Sequence, residues 1–273
     1  MDLDRPFHGV RSIGVDLDTT LGRCRAYRPR LREGVRFSHS TAAILLGAPL
    51  PAGLESSPIL HLTAIEGARP RTRSVVGHES GHAASAFVHG LPPIVAPADV
   101  WCQLAGQLSI ADLVAVGDYL VSGERMPGGR RSAPICTLDE LSRALTAFRP
   151  ARGTGKLVIA LPRIRVGVDS RPETHTRLVI VDAGLPEPVV GHAVDVGGGL
   201  VLHPDLAYPA YRIAMEYEGE RHRIDRDRWE RDIARSRALE GAGWIVIRVT
   251  RRDLVAPEQL LRDIRHALAR RSA

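Results

Sequence analysis

The chain has 273 residues, 44% of them apolar and 25% charged, which gives room for two domains and argues against wholesale disorder. No apolar run nears the roughly 18–20 residues that span a bilayer, and the first fifteen residues mix Asp, Arg and His with no apolar stretch. The three cysteines (Cys24, Cys102, Cys136) are scattered and odd in number, so a disulfide framework and a Cys-x-x-Cys zinc knuckle are excluded and a cytoplasmic protein without a membrane partner is expected. Of 37 basic residues only Lys156 is lysine, and residues 220–273 hold fourteen Arg against nine Asp and Glu, +5 of a total of +6. A cationic C-terminal segment suits a polyanion such as nucleic acid, or is an Arg-decorated helical surface.

The first 35 residues lack periodicity and read as partly irregular. Ser38 or Ser40 can cap a short helix that Gly47 and the Pro49-Leu50-Pro51 run close. Strand-like runs follow at 59–65, 73–77 and 84–88, then helical patterns at 97–108 and 110–121. Residues 123–134 form a Gly- and Arg-rich loop, and Thr137-x-x-Glu140 is a capping box that opens a helix to Phe148. Pro, Gly and charge replace periodicity at 149–155, which divides the chain into domains at 1–150 and 155–273.

The second half reads helix, three strands, helix, strand, helix. Ser170-x-x-Glu173 starts the first helix and Gly184 ends it. Strands are expected at 189–196 and 200–207, joined by the hairpin glycines Gly197, Gly198 and Gly199, with a third at 211–218. Asp225 caps a helix with Trp229, Ile233 and Leu239 on its apolar side. A strand at 244–249 and a helix after Pro257 complete an α/β unit.

The third strand carries the chemistry. Side chains alternate faces, so Glu216 and Glu218 point the same way, and an antiparallel neighbour ending in His203-Pro204-Asp205 brings Asp205 beside them. Three carboxylates on one patch raise one another's pKa unless a cation holds them, and Mg²⁺ or Mn²⁺ suits oxygen donors. The plainer alternative is the solvated face of an edge strand, with Glu173 and Arg177 as an ordinary helix pair and Trp229 and Trp244 as core.

Pro204-Asp205 followed by Glu216-x-Glu218 resembles the PD-(D/E)XK nuclease motif. With Gly219, His222, Arg231-Asp232-x-x-Arg235 and Gly243-Trp244-x-Val246-x-Arg248, residues 165–270 resemble the very-short-patch-repair (Vsr)-like endonucleases. That resemblance implies a restriction-endonuclease-like mixed sheet flanked by helices, with Asp205, Glu216 and the Tyr217 carbonyl holding Mg²⁺ or Mn²⁺. It implies His222 or Glu218 orienting a water and Glu173 at the pocket's edge. DNA is the implied partner, held by Arg221, Arg223, Arg228, Arg231 and Arg235; the metal chemistry does not read the sugar, so RNA stays open. One departure is that Glu218 stands where the motif has lysine, leaving Arg212, Arg221 or the metal to stabilise transition-state charge.

In the first half, Phe37 to Gly47, Leu60-His61-Leu62-Thr63 and Arg71 to His78 resemble the AbiEi-type antitoxin and regulator proteins. The implication is an α+β N-terminal domain with a winged-helix-like module. His78-Glu79-Ser80-Gly81-His82 matches the zinc-protease pattern H-E-x-x-H, but the flanking Gly77 and Gly81 supply no helix to carry it, so it is not read as a zinc site. Gly153-Thr154-Gly155-Lys156 lacks the full spacing of a phosphate loop. Two functions follow: a metal-dependent endonuclease, or a non-catalytic DNA-binding or antitoxin-type regulator on a degenerate nuclease fold.

Overall fold

The computed structural model describes residues 4–65, 67–81, 83–126, 129–148, 152–219 and 226–272, with side chains in the helix that begins at Arg226 described from residue 231. The chain is mixed α/β and divides into two compact units, Met1–Ile164 and Arg165–Ala273. No helix among the described residues is long and apolar enough to cross a membrane. All three cysteines are free and buried, and burial pushes each thiol up to about 12.

The first unit runs α1 (Thr20–Tyr27), β1 (Val35–Phe37), α2 (His39–Leu45), α3 (Ala52–Glu55), β2 (Leu60–Ala64), β3 (Val75–Glu79), β4 (Ser85–Ala86), β5 (Ile94–Val95), α4 (Pro97–Gln103), α5 (Ile110–Ser122), α6 (Leu138–Phe148) and α7 (Thr154–Ala160). Its sheet has the order β3-β2-β1-β5-β4, with β2 antiparallel to β1 and parallel to β3. Trp101 anchors the helical layer, fully buried, with its indole N–H donating to the Leu113 carbonyl at 2.8 Å. The Thr137 box forms in both directions: Glu140 accepts from the Thr137 N–H at 2.7 Å, and the Glu140 N–H donates to the Thr137 hydroxyl at 3.2 Å. Gly77 is required where it stands, because a Cβ there would lie 2.0 Å from the Pro70 carbonyl oxygen.

Three features depart from the sequence reading. The irregular start contains α1, capped by the Thr19 hydroxyl. The central strand of the sheet, β1, is only three residues long and gives no readable alternation. The break between units falls after Ile164 instead of at 149–155. The reason is α7, whose Leu157 and Ala160 are wholly buried and whose Lys156 ammonium donates to the Leu108 carbonyl at 2.8 Å.

The second unit runs α8 (Arg171–Asp182), β6 (Val189–Val190), β7 (Val194–Asp195), β8 (Val201–Leu202), β9 (Leu206–Tyr208), β10 (Ile213–Glu218), α9 (Arg226–Gly241), β11 (Ile245–Thr250), α10 (Arg251–Val255) and α11 (Glu258–Ser272). The sheet order is β11-β10-β9-β6, with a separate β7-β8 ribbon. The expected strands at 189–196 and 200–207 are each split, at Gly191 (φ +57°) and at His203-Pro204, so one hairpin becomes a sheet pair plus a ribbon closed by three positive-φ glycines. β9 and β10 are antiparallel, while β10 and β11 are parallel and joined through α9, as a parallel pair requires.

The predicted alternation of β10 holds. Ile213 and Met215 pack with Ile180 of α8 and with Leu260 and Ile264 of α11. Ala214, on the other face, packs with Leu239 of α9 and Val194. Helices therefore flank the sheet on both faces, and the face of Ala214 continues outward to Glu216.

Candidate functional site

Register brings the carboxylates together. Met215 pairs with Leu206 across the antiparallel strands, and the Gly191 N–H donates to the Asp205 carbonyl at 3.3 Å, carrying the β6–β9 ladder one step further. Glu216 therefore stands opposite Asp205, on the same face, where opposed Cα atoms lie about 4.5–5.5 Å apart. Asp205 Oδ2 accepts the Tyr217 N–H at 2.8 Å. Glu173, only 5% exposed near the start of α8, accepts the Asp169 N–H on Oε2 at 3.0 Å.

Burial sets the electrostatics. It raises the pKa of Asp205, aided by the charges of Glu216 and Asp169 and opposed by the Tyr217 N–H and by Arg235. Burial also raises Glu173, to which the Asp205 charge adds, while the Asp169 N–H and the Ser170 hydroxyl act in the other direction. Asp169, which sequence reading passed over as the residue before the Ser170 cap, thus belongs to the same negative patch. A buried acid held above its usual range is short of positive charge.

Arg235 and Arg248 supply some. Arg235 Nε donates to Glu216 Oε1 at 2.6 Å, and its terminal nitrogen donates to the His203 carbonyl. Arg235, expected as a phosphate contact, therefore turns into the carboxylate patch. Glu218 pairs with Arg248 at 2.9 Å, both side chains nearly half exposed. Arg248 also lies directly across from Glu216 in the parallel pair. Among the described residues, the cation paired at the motif's lysine position thus comes from β11. Arg212 precedes β10, four residues or about 13 Å of strand before Glu216, and does not reach the role considered for it. Arg231 is exposed on α9. His222, Arg221 and Arg223, and the Arg228 side chain, lie outside the described residues.

A second polar cluster sits in the first unit. His78 and Glu79 lie on β3, whose extended backbone alternates their side chains and excludes the helical zinc-protease arrangement; His82 is outside the described residues. His78 instead meets His39, at the start of α2, and His61 on β2. His61 Nδ1 and His78 Nε2 are 3.0 Å apart, and the rings of His39 and His78 stack with centroids at 3.7 Å. One nitrogen from each ring lies within 4.8 Å of the other two. Burial lowers all three pKa values, His39 to about 2 and His61 to about 4, so the imidazoles are neutral. His39 holds φ at +50°, a conformation that costs a non-glycine residue roughly 1 kcal/mol or more. Sequence reading missed this cluster because its members are separated by 22 and 17 positions and belong to no common motif. A separate cleft of about 460 Å³ in the same unit is lined by Arg30, Arg32, Arg69 and Arg71, so cationic surface is not confined to the C-terminal segment.

No family model matches the chain, and no solved structure is significantly similar to it. Two uncharacterized proteins from two strains of Mycobacterium tuberculosis are each 29% identical to it over 119 residues, 44% of this chain and 44% of theirs. The chain thus spans less than half the length of the curated relatives it matches, and those relatives carry no stated activity.

Proposed function

We propose that the Arg165–Ala273 unit is a Mg²⁺- or Mn²⁺-dependent DNA endonuclease of the PD-(D/E)XK, Vsr-like type, preceded by an AbiEi-like regulator-type unit and working in the cytoplasm. The observation that carries this reading is the facing register of Asp205 and Glu216 beside buried Glu173. The donor set fits a hard cation: Asp205 commits one oxygen to the Tyr217 N–H, and burial, with neighbouring carboxylate charge added to it, raises the pKa of Asp205 and Glu173, which a divalent ion would bring back toward their charged forms. Asp205, Glu216 and the Tyr217 carbonyl would hold the ion, which supplies Lewis acidity and an acidified water. Tyr217 fixes the Asp205 carboxylate through its N–H, and Glu173 stands by as an acid able to accept or release a proton near neutrality. Arg248, facing Glu216 and tethered by Glu218, takes the place of the motif's lysine in meeting phosphate charge. A plasmid-nicking assay tests this: Mg²⁺ or Mn²⁺ supports cleavage by the wild type, and Glu216→Gln removes it.

A second reading, a non-catalytic DNA-binding or antitoxin-type regulator, is favoured by one observation. Glu216 already has a cation in Arg235 at 2.6 Å, and the lysine position is acidic. In that case the wild type is inert with either metal, and Glu218→Lys, which restores the motif's ammonium, gains cleavage.

A further inference from the structure

We propose that His39, His61 and His78 form a transition-metal site of the zinc class in the first unit, with one coordination position open to solvent. The site is distinct from the carboxylate patch and does not depend on the nuclease reading. Its donors are imidazoles alone, since among the described residues no Asp or Glu joins the group. Neutral nitrogen donors select zinc and its borderline-soft neighbours over Mg²⁺ or Ca²⁺.

The nitrogen spacing approaches that of such an ion, and on binding the His39 ring, stacked on His78, turns out of the stack to aim its in-plane lone pair at the same point. Nitrogens bound at about 2.0–2.1 Å in a tetrahedral arrangement lie roughly 3.3 Å apart. His61 Nδ1 and His78 Nε2 are already at 3.0 Å, a contact that one shared proton makes in the metal-free chain and that a cation replaces by displacing that proton. His61 and His78 reach the same point because Thr63 pairs with His78 across the parallel strands, and His61, two residues from Thr63, shares its face. The Ser38 N–H donates to the His61 carbonyl at 3.0 Å, which brings the start of α2, and with it His39, to the same edge.

The neighbours select the ligand atoms. His39 Nδ1 is 3.0 Å from the Ser38 hydroxyl, so a proton there leaves Nε2 to coordinate. Gln107 Nε2 sits 3.5 Å from His61 Nε2, while Gln107 Oε1 is buried without a hydrogen-bond partner. Exchanging the ends of that amide places Oε1 against His61 Nε2, where it accepts an N–H and leaves Nδ1 as the ligand. A histidine ligand that donates its second N–H to an oxygen is the usual outer-shell arrangement at zinc, and this one satisfies the orphaned Gln107 oxygen at the same time. Beside the cluster lies a cleft of about 670 Å³ whose walls include His39, His78, Ser80, Gln103 and Gln107. Two of the three ligands, His39 and His78, face that open space, which matches a zinc site that keeps a position for water or substrate.

The test uses the full chain, stripped with chelator and titrated near pH 7.5 with Zn²⁺ against a chromophoric competitor, and with Co²⁺ followed by visible absorption. The expected result is one Zn²⁺ per chain at a Kd on the order of 1 µM or tighter, and the intense visible bands of four-coordinate cobalt. His61→Ala and His78→Ala weaken binding at least about 100-fold, and Gln107→Ala about 10- to 100-fold. A millimolar excess of Mg²⁺, which occupies oxygen donors and not imidazoles, leaves zinc affinity unchanged, which assigns the ion to the histidines. Failure of the wild type to bind one equivalent, a pale six-coordinate cobalt spectrum, wild-type affinity in the histidine variants, or displacement of the zinc by Mg²⁺ each overturns the proposal. Should an alanine variant not fold, the wild-type stoichiometry and cobalt spectrum decide without it.

Discussion

The carboxylate patch on the inner strands of the second unit's sheet and the histidine cluster of the first are both withdrawn from water, yet burial leaves them in opposite electrical conditions. Removing an ionisable group from water favours its neutral form, which raises an acid's pKa and lowers a base's. Asp205 and Glu173 are therefore pushed toward protonation while their neighbours' charges add to the strain. His39, His61 and His78 become neutral and lose their mutual repulsion. The first cluster is unsettled without a cation; the second is settled and holds free lone pairs. One invites a hard ion through charge, the other a softer ion through donor chemistry.

The largest effect should come from removing the charge at the centre of the patch. Glu216→Gln is expected to lower Mg²⁺- or Mn²⁺-supported nicking by at least about 10³-fold, a scale typical of losing a principal electrostatic element of a site, while DNA affinity measured by fluorescence anisotropy stays within about twofold. Cleavage surviving in the variant would place the reaction elsewhere.

The opposite pKa shifts give the two units opposite pH slopes in metal-free protein. For a carboxylate raised in the folded state, the stability it contributes is fully present below its unfolded pKa, near 4, and is lost as pH climbs through the folded value. For a histidine depressed in the folded state, stability is fully present above about 6.5 and is lost as pH falls toward the folded value. Hydrogen exchange read on peptides from each unit should thus show protection of the carboxylate neighbourhood rising from pH 8 to pH 5, while that of the histidine neighbourhood falls. Glu173→Gln, which substitutes a neutral group for the buried acid, should stabilise the second unit by roughly 1–3 kcal/mol at pH 8 and by far less near pH 4. Parallel slopes in the two units would dissolve the contrast between them.

Removing the resident cation is a milder perturbation. Arg235 and Glu216 are 32% and 16% exposed, so solvent screens the pair and its worth is about 1 kcal/mol. Arg235→Ala leaves Glu216 with one fewer competitor for a divalent ion, and Mn²⁺ affinity measured by calorimetry should rise about three- to tenfold. If metal affinity falls instead, Arg235 is holding the ligand in place and not competing with the ion.

What was legible in the sequence followed from local rules. The alternation over β10, the Ser170 and Thr137 caps and the hairpin glycines each depend on neighbours within a few residues, and the Asp205–Glu216 patch depends on one antiparallel register. The histidine cluster depends on three segments meeting, a short strand end, a second strand and a parallel third, and nothing local announces it. The domain break was misplaced for a related reason. Gly153 and Gly155 look like linker residues, yet Gly153 sits at φ +91° as the turn into α7, which buries Leu157 within the first unit. The inward turn of Arg235 was hidden by the same Arg-rich helix pattern that suggested a phosphate-binding face.

That last point yields the finest prediction. An arginine that contacts DNA phosphate releases counterion, and each such contact adds about 0.9 to the slope of log affinity against log salt. Arg231 is exposed on α9, and Arg221, Arg223 and Arg228 are its neighbours in sequence. If this stretch tracks a DNA backbone, Arg231→Ala should lower the slope by about one and weaken binding at low salt by a few-fold, uniformly across sequences. Arg235 lies in the carboxylate patch, its guanidinium held by Glu216 and the His203 carbonyl. Its replacement by alanine should leave the slope unchanged while altering divalent-metal affinity. Anisotropy titrations at several salt concentrations separate the two variants. An Arg235→Ala slope that drops as far as that of Arg231→Ala would mean the guanidinium leaves Glu216 when DNA arrives, and the carboxylate would then be released to metal only in the complex.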